Sequence, residues 1–446
     1  MKLLNFLIST IFSFSVLSSF AFDIFNSSNN QISIPYVQVG TSTYKDVTVE
    51  LGNVISAVGG RPASSCDLYN QNSNVLNIPQ VVSSGNSYNN VVVTVGKVLS
   101  AAVQPTNYLY VSNASTNDIA GFTLNSCTGQ LTKISIFPVQ SCLSPYKLSV
   151  YKNKFLFVTC FRGGNGNTSI YQYSINSSDG SISLFSTYSA VGQSSSVVFD
   201  STAQFIYVSN PGSNQISAYS INTLTGYLTQ IPGSPFSTDE SPMALVAEPS
   251  GKFLYAANSK GTVSGFVINS ITGNLVPITG SPFLAGVNPN SIATAKTTSG
   301  NYIYVTNQNG QSISGYSINP TSGTLAPILG SPFKANAPIG IYIEPSNKYL
   351  YVTNYNNNFA IYNSISGYSI NPNSGALLPI VSSPYPVGNN PIALSGDPLG
   401  FYVFVTNSGD NNLFTFSINA SDGGLSQLPS VTFTNGTPNA LTLTNF

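Results

Sequence analysis

The sequence contains no histidine and no tryptophan, and only 6 % of its 446 residues are charged. Without histidine the chain lacks the commonest general base, the commonest metal ligand and any Ser–His pair, which excludes most hydrolase and zinc mechanisms. The 14 basic and 14 acidic residues balance, so no positive surface is available to hold nucleic acid or acidic lipid. No Walker, Rossmann or EF-hand pattern is present, and the sequence predicts neither a cofactor nor a metal site.

What the sequence has instead is apolar, aromatic and small polar residues. Hydrophobic residues make up 42 % of the chain and aromatic residues 12 %. This is enough for a folded core, so the scarcity of charge does not indicate disorder. The surface is expected to consist mainly of Asn, Ser, Thr and Gly.

The first 21 residues have the pattern of a secretion signal. Lys2 supplies the positive start, Leu3 to Leu17 form the apolar stretch, and the small residues Ser19 and Ala21 precede a cleavage site after Ala21. An uncleaved membrane anchor is the alternative interpretation. No later segment is long and apolar enough to span a bilayer. The sequence therefore predicts a secreted protein, periplasmic or extracellular, and leaves open whether it is held at the cell surface.

A tetrad similar to Tyr-Val-Thr-Asn recurs seven times, at spacings of 47 to 53 residues. Each tetrad is followed by a segment such as GFVIN and then by a glycine, and three of the units end in GSPF. Such a period is the signature of a repeat architecture. The tetrads begin at Tyr110, Phe157, Tyr207, Tyr255, Tyr304, Tyr351 and Phe404.

Each repeat has the pattern of four short strands. In the fourth repeat these are MALVAEP, KFLYAAN, VSGFVIN and LVPITG, which are bounded by Gly, Pro, Asn or Ser. Seven such units predict an all-β fold, a seven-bladed β-propeller of four-stranded blades. In the fifth repeat Tyr302 and Tyr304 point to one side of the strand, and Ile303 and Val305 to the other. Both faces of a blade are therefore apolar, and its neighbours must cover them.

A different duplication precedes the propeller. The segment that starts at Ile32 is repeated from Leu76, with an offset of 44 residues. We interpret residues 22–104 as two small β modules, at about 31–60 and 75–104, and residues 105–446 as the propeller. The C-terminal segment TPNALTLTNF would then supply the first strand of blade one and close the ring. In the alternative, Val98–Val103 supplies that strand.

From about Tyr108 to Phe446 the tetrads and the segments that follow them resemble the YVTN-repeat proteins within the lactonase-like family of seven-bladed propellers. The resemblance implies that ligands bind where the loops after the tetrads and after the GSPF segments gather around the channel. That family is similar to 6-phosphogluconolactonases and muconate-lactonising enzymes, and it includes secreted and surface-layer proteins without assigned chemistry. Its lactonases are credited with using His and Arg beside a carboxylate, and this chain has no His.

Several charged residues lie in the loops that the resemblance implicates. Arg162, the only arginine of the propeller, could hold a carboxylate or phosphate in a bidentate contact, and Lys260 is a second basic candidate. A loop carboxylate, if buried, could act as a general base on water that attacks a lactone carbonyl. The alternative for each residue is a solvated charge or a turn cap. The acidic candidates are Asp118, Asp239, Glu240 and Asp410.

Other polar residues are expected to be structural. Glu248 and Glu344 stand in EP pairs, Asp397 in a DP pair, and Asp179 and Asp422 in DG pairs, all of which are typical of turns. The Asn that ends most tetrads is expected to hydrogen-bond the backbone of the following turn.

The four cysteines allow three disulfide pairings in an oxidising compartment. Cys160 replaces the tetrad Asn in the second repeat, and Cys142 lies in the loop that enters the same blade, which favours a Cys142–Cys160 bond. Cys66–Cys127 would then join the N-terminal module to blade one. A catalytic cysteine is not expected in a chain without histidine.

Two functions are consistent with these patterns. A non-catalytic binding protein, secreted or at the cell surface, accounts for the export, the scarce charge and the missing histidine, and Tyr with Asn suits contact with glycans or protein surfaces. An exported lactone hydrolase would use Arg162 to hold an anionic group and a loop carboxylate as base. The sequence favours binding, with a glycan, a protein surface or a small lactone at the channel mouth as the expected partner.

Overall fold

A computed structural model of the chain describes residues 24–26, 31–39, 42–58, 67–70, 75–83, 86–103, 106–161, 168–355 and 363–445. The chain divides into two compact units, the first comprising residues 1–107, 125–130 and 446 and the second residues 108–124 and 131–445. The described residues include one 3₁₀ turn, Pro211–Ser213, and no helix long and apolar enough to cross a membrane. The predicted signal peptide, residues 1–21, lies outside the described residues.

The first unit is a six-stranded sheet in which one three-stranded pattern occurs twice. Its strands are β1 (Ile24–Asn26), β2 (Gln31–Val39), β3 (Ser42–Val58), β4 (Asp67–Asn70), β5 (Val75–Ser83) and β6 (Asn86–Val103). They are ordered β1-β2-β3-β6-β5-β4, so the long antiparallel pair β3–β6 lies at the centre. Strands β2 and β5 both have nine residues and start 44 residues apart, in agreement with the offset in the sequence. Ile34, Val47 and Leu76 are buried.

The second unit is a ring of seven antiparallel sheets, the blades. Four main strands, counted outward from the axis, form each blade, and in five blades a further strand of two residues pairs with the third. This short strand, which the sequence did not predict, includes the Phe of each GSPF segment. In chain order the strands are β7 (Asn107–Asn113), β8 (Asp118–Leu124), β9 (Leu131–Lys133), β10 (Val139–Gln140), β11 (Pro145–Tyr151), β12 (Phe155–Cys160), β13 (Thr168–Ile175), β14 (Ile182–Ser189), β15 (Ser196–Phe199), β16 (Phe205–Asn210), β17 (Gln215–Ile221), β18 (Leu228–Gln230), β19 (Phe236–Ser237), β20 (Pro242–Ala247), β21 (Phe253–Asn258), β22 (Thr262–Ile268), β23 (Leu275–Pro277), β24 (Phe283–Leu284), β25 (Pro289–Lys296), β26 (Asn301–Asn307), β27 (Ser312–Ile318), β28 (Leu325–Pro327), β29 (Phe333–Lys334), β30 (Pro338–Ile343), β31 (Tyr349–Asn354), β32 (Ser364–Ile370), β33 (Leu377–Pro379), β34 (Tyr385–Pro386), β35 (Pro391–Gly396), β36 (Tyr402–Asn407), β37 (Asn412–Ile418), β38 (Leu425–Phe433) and β39 (Pro438–Leu443).

The C-terminal strand β39 is the inner strand of blade one. It pairs antiparallel with β7, with Leu441 opposite Val111, whereas Val98–Val103 belongs to β6 and pairs with β3. The seven inner strands β39, β11, β15, β20, β25, β30 and β35 contact one another in this cyclic order. They therefore surround a central channel, as in other propellers.

Each blade is buried on both faces by its neighbours, as the alternation in YIYVTN predicts. Ile303 and Val305 of blade five lie in one hydrophobic cluster with residues of blade four. Tyr302 and Tyr304 lie in another cluster with residues of blade six. A single blade would leave both clusters exposed, which is why the chain repeats the same pattern around the ring.

The tyrosines that open the tetrads also tie each blade to the next. In blade four the Tyr255 hydroxyl donates a hydrogen bond, 2.6 Å long, to the carbonyl oxygen of Gly323 in blade five. Gly323 has a φ of +74°, and a Cβ added there would lie 2.6 Å from the Phe253 ring, so both the backbone and the contact require glycine. The equivalent tyrosine-to-glycine bonds are made by Tyr110, Tyr207, Tyr304 and Tyr351.

Candidate functional site at the channel mouth

One end of the propeller carries the loops that were predicted to bind ligands. In blade four Pro242, the first residue of the inner strand, pairs with Asn258, the last residue of the second strand. The loop before the inner strand and the loop after the second strand therefore lie at the same end, which we call the mouth face. Proline begins the inner strand of six blades, at Pro145, Pro242, Pro289, Pro338, Pro391 and Pro438.

The threonine of the tetrad links neighbouring inner strands near the mouth face. Thr353 Oγ1 accepts a hydrogen bond from the Gly340 amide of its own blade, at 2.8 Å. Its hydroxyl donates to the carbonyl oxygen of Ile392 in the next blade, at 3.0 Å. Thr306 makes the equivalent pair of bonds in blade five. In blades five and six the tetrad threonine thus ties its own inner strand to that of the next blade near the mouth face.

The tetrad asparagines have structural roles, as expected, but their amide groups bond side chains of the third strand rather than the backbone of the following turn. Asn258 Nδ2 donates to Thr262 Oγ1 at 3.0 Å and to Ser264 Oγ at 2.9 Å. Asn407 Nδ2 likewise donates to Asn412 Oδ1 at 2.9 Å. The side chain spans two strands because it is buried at the end of the second strand, facing the polar start of the third. The buried Oδ1 atom accepts no hydrogen bond in four blades, at Asn113, Asn258, Asn354 and Asn407.

Asp118 is the one buried carboxylate among the acidic candidates. It begins the third strand of blade one, and its side chain is 2 % exposed. Asn113 Nδ2 donates a hydrogen bond of 2.6 Å to Asp118 Oδ1. Asp118 therefore occupies the position of Thr262 in blade four and serves as the partner of the tetrad Asn.

The candidates of blade four form a local group. Asp239 Oδ2 accepts a 2.6 Å hydrogen bond from Thr262 Oγ1, and its amide donates to Ser264 Oγ. Glu240 forms an ion pair with Lys260 at 3.9 Å, with both side chains more than 60 % exposed. Such an exposed pair contributes little to stability, and both groups are accessible to ligands.

Asp410 lies in blade seven and organises the loop before the inner strand. Its carboxylate accepts hydrogen bonds from the Asn389 amide at 2.6 Å and from Asn389 Nδ2 at 2.9 Å. The structure thus places the acidic candidates in blades one, four and seven, each bonded within its own blade. Blade four lies across the ring from the other two. Among the candidates that the structure describes, Asp239, Glu240 and Lys260 lie in one group.

Cys142 and Cys160 form the predicted disulfide in blade two, with a Cα–Cα distance of 5.9 Å. Cys127 is also disulfide-bonded, whereas Cys66, its predicted partner, lies outside the described residues. Arg162, the predicted anion-binding residue, also lies outside them. Phe161, immediately before Arg162, stacks on Tyr146 with ring centroids 5.0 Å apart.

The sequence analysis missed Lys147, the third residue of the inner strand of blade two. Its side chain is partly buried, and desolvation by the surrounding protein lowers the pKa of its ammonium group. An alignment of the inner strands alone would have found it, because the other six blades have Gly, Ala or Ser at this position.

The opposite end of the propeller holds the acids that were predicted to be structural. Glu344 accepts hydrogen bonds from the amides of Ser346, Lys348 and Tyr349, and so closes the turn between the first and second strands. Asp397 does the same in blade seven, through three backbone amides. Burial nevertheless raises the pKa of Asp397 to about 7, because desolvation of the carboxylate outweighs these hydrogen bonds. The turn roles are confirmed.

Comparison with known families and structures agrees with this architecture. The family model for lactonases with a seven-bladed β-propeller matches residues 69–199, 167–287 and 330–441. The matched region begins within the first unit, earlier than the resemblance at Tyr108 suggests. No curated protein sequence matches the chain.

Solved structures share the fold at low sequence identity. A candidate 6-phosphogluconolactonase of Bacteroides uniformis has a TM-score of 0.67 at 16 % identity, covering 76 % of this chain and 100 % of its own. A periplasmic gluconolactonase of Pseudomonas aeruginosa has a TM-score of 0.65 at 16 % identity, covering 76 % of this chain and 99 % of its own. At this level of identity the likeness concerns the fold and not the chemistry.

Proposed function

This chain belongs to the lactonase family of seven-bladed β-propellers, and from that premise we propose that it is a non-catalytic binding protein that acts outside the cell. Its ligand, a glycan or a small sugar acid or lactone, would bind at the mouth face. One fold can carry both enzymes and binding proteins, so the choice depends on the residues at the mouth face rather than on the fold.

The observation that carries this proposal is the state of the candidate carboxylates. Asp118 is bonded to the tetrad Asn, Asp239 to Thr262, and Asp410 to the loop before its inner strand. A general base needs an oxygen directed at the water that it deprotonates, whereas hydrogen bonds within the blade fix the orientation of these three carboxylates. These three carboxylates instead act as acceptors that hold their own blades together. The chain also has no histidine to replace them.

A location outside the cell is supported by the disulfide bonds. Cys142–Cys160 and the bonded Cys127 require an oxidising compartment to persist. The signal-like pattern of residues 1–21 agrees with such a location. The low charge also suits recognition through tyrosine and amide groups rather than through long-range electrostatic attraction.

Lactone hydrolysis is the second candidate, and family membership favours it. In that function Glu240, which is exposed, would act as the base, and Arg162 would hold an anionic group of the substrate. Hydrolysis would therefore require Arg162, which lies outside the described residues, to reach the same substrate as Glu240 of blade four.

The two functions are separated by offering purified protein without residues 1–21 a panel of sugar and aliphatic lactones. Acid release is followed at constant pH, and binding of the same compounds and of their open acids is followed by calorimetry. We expect binding without acid release above background. Acid release that Arg162→Ala or Glu240→Gln abolishes would establish the hydrolase instead. Lys252→Ala, at the opposite end of blade four, is the matched control for loss of a charge.

A further inference from the structure

The third position of the inner strand has the same backbone environment around the ring but a different side chain in blade two. The amide of Lys147 donates to Thr159 Oγ1 at 3.0 Å, as the amide of Gly340 does to Thr353 Oγ1. The register is therefore the same. The other blades have a small residue at this position: Ser196, Ala244, Ser291, Gly340, Ala393 and Ala440.

Side chains at this position face the inner strand of the next blade. Ser196 Oγ accepts a hydrogen bond of 3.1 Å from the Leu245 amide in blade four. A Cβ added at Gly340 would lie 2.6 Å from the carbonyl oxygen of Ile392 in blade seven. The Lys147 side chain therefore starts between the inner strands of blades two and three, two residues inward from the mouth face.

The Lys147 ammonium group has no partner in the described part of the chain. No hydrogen bond or ion pair involves its Nζ atom, and the ion pair that is present joins Glu240 to Lys260. A partly buried cation without a partner is costly, because desolvation is not compensated by an opposite charge. The lowered pKa of Lys147 has the same cause. An anion bound near the Lys147 ammonium group would compensate the cost of its desolvation.

Two other departures from the repeat lie beside Lys147. The Cys142–Cys160 disulfide replaces the tetrad Asn of blade two, and Tyr146 stacks on Phe161 at an interplanar angle of 29°. Tyr146 precedes Lys147 in the strand, and an aromatic ring together with a cation suits a sugar ring that carries an acidic substituent. The mouth end of blade two thus combines a lysine in the inner strand, a stacked aromatic pair and a disulfide.

We propose that Lys147 binds the anionic oxygens of a small ligand in the channel at blade two, with the Tyr146–Phe161 stack beside the body of the ligand. The shared chemistry is an oxyanion, either the carboxylate of a sugar acid or a phosphate group. This inference rests on the proposed function, since it identifies the group that the mouth face recognises.

The test measures the chemical reactivity of individual lysines in the full protein without residues 1–21. Acetylation by an activated ester is followed by peptide mass spectrometry, with gluconate, inorganic phosphate or neutral glucose present. We expect gluconate or phosphate to slow acetylation of Lys147 about tenfold, while glucose does not. Lys152, which is exposed at the opposite end of the same blade, should react equally in all samples. Protection by gluconate alone assigns a carboxylate ligand, and protection by phosphate alone assigns a phosphate.

Binding by the Lys147→Ala variant provides the second readout. Alanine already occupies this position in three blades, so the variant is expected to fold. Its affinity for the protecting anion should fall about tenfold or more, and Lys152→Ala should bind as the wild type does. The inference is overturned if Lys147 does not react at all, if neither anion protects it, or if Lys147→Ala binds unchanged. Ligands that still bind at the mouth face in that case leave the proposed binding function intact, whereas loss of binding across the whole panel contradicts both.

Discussion

Gln172 Nε2 donates a hydrogen bond of 3.0 Å to the carbonyl oxygen of Gly226. In blade four the equivalent bond comes from the hydroxyl of Tyr255, which opens the tetrad. Blade two has Phe157 at that position, and Gln172 is its direct cross-strand neighbour. The residue opposite Tyr255 is Gly265. Phe157 replaces the tetrad tyrosine on the second strand, and Gln172 replaces the glycine opposite it on the third. Together the two replacements preserve the hydrogen bond between blades two and three.

Removal of this link should destabilise the protein. In Gln172→Ala the buried carbonyl oxygen of Gly226 loses its donor, and we expect a loss of about 1–3 kcal/mol in the free energy of unfolding. Urea denaturation measures it. The double variant Phe157→Tyr with Gln172→Gly restores the pattern of blade four and should recover part of the loss. A double variant less stable than Gln172→Ala would show that the two positions do not compensate.

Gly323 should tolerate substitution much less well than a glycine with the same backbone conformation and open space. Gly323→Ala places a methyl group 2.6 Å from Phe253 at a φ of +74°, so strain and overpacking add, at a cost of about 2–4 kcal/mol. Gly192 has a φ of +83° and nothing within 4 Å of an added Cβ, so Gly192→Ala should cost about 1–2 kcal/mol. Thermal unfolding of both variants compares them. An equal loss of stability in the two variants would mean that the contact between the added methyl group and Phe253 costs nothing.

Asp397 should make stability depend on pH near neutrality. Its pKa is raised to about 7 in the folded protein, above the unfolded value of about 4. Its contribution to stability is therefore fully present below about pH 4 and is lost as the pH rises through 7, a change of order 4 kcal/mol. The variant Asp397→Asn cannot ionise. Its free energy of unfolding, measured relative to the wild type, should rise between pH 5 and pH 8, and a constant difference would contradict the raised pKa.

The propeller could be predicted because its determinants are local and repeated. Tyr304 and Val305 face opposite sides of the blade because side chains alternate along a strand. The glycine of each turn is required because the backbone there has a positive φ. The partners of the tetrad Asn could not be predicted in this way. Asn258 bonds Ser264 because the end of the second strand faces the third, and that relation depends on register. The cross-strand pair of Phe157 and Gln172 could not be predicted either, because it also depends on the register of the two strands.

The candidate site was less predictable, because it depends on departures from the repeat. The acids Asp118 and Asp410 were found by their loop positions, but their hydrogen-bond partners, which determine whether they can act as bases, come from other segments of the blade. Lys147 lies in a strand, whereas the residues predicted to bind ligands lie in the loops between strands. Lys147 stands out only when the seven inner strands are compared at the same register, because the other six have Gly, Ala or Ser at this position.

Lys147 should reduce stability in the absence of a bound anion. Because desolvation lowers its pKa in the folded state, the folded protein binds fewer protons than the unfolded chain, and stability rises with pH up to the unfolded pKa of about 10. Lys147→Met keeps the apolar stem without the charge and should raise the free energy of unfolding by about 1–4 kcal/mol at pH 7 in low-anion buffer. The gain should shrink as the pH approaches 10. Lys152→Met, exposed on the same blade, controls for the loss of a surface charge. A Lys147→Met variant that is less stable than the wild type at pH 7 in this buffer would mean that the ammonium group is already compensated, and the channel would then need no anion at blade two.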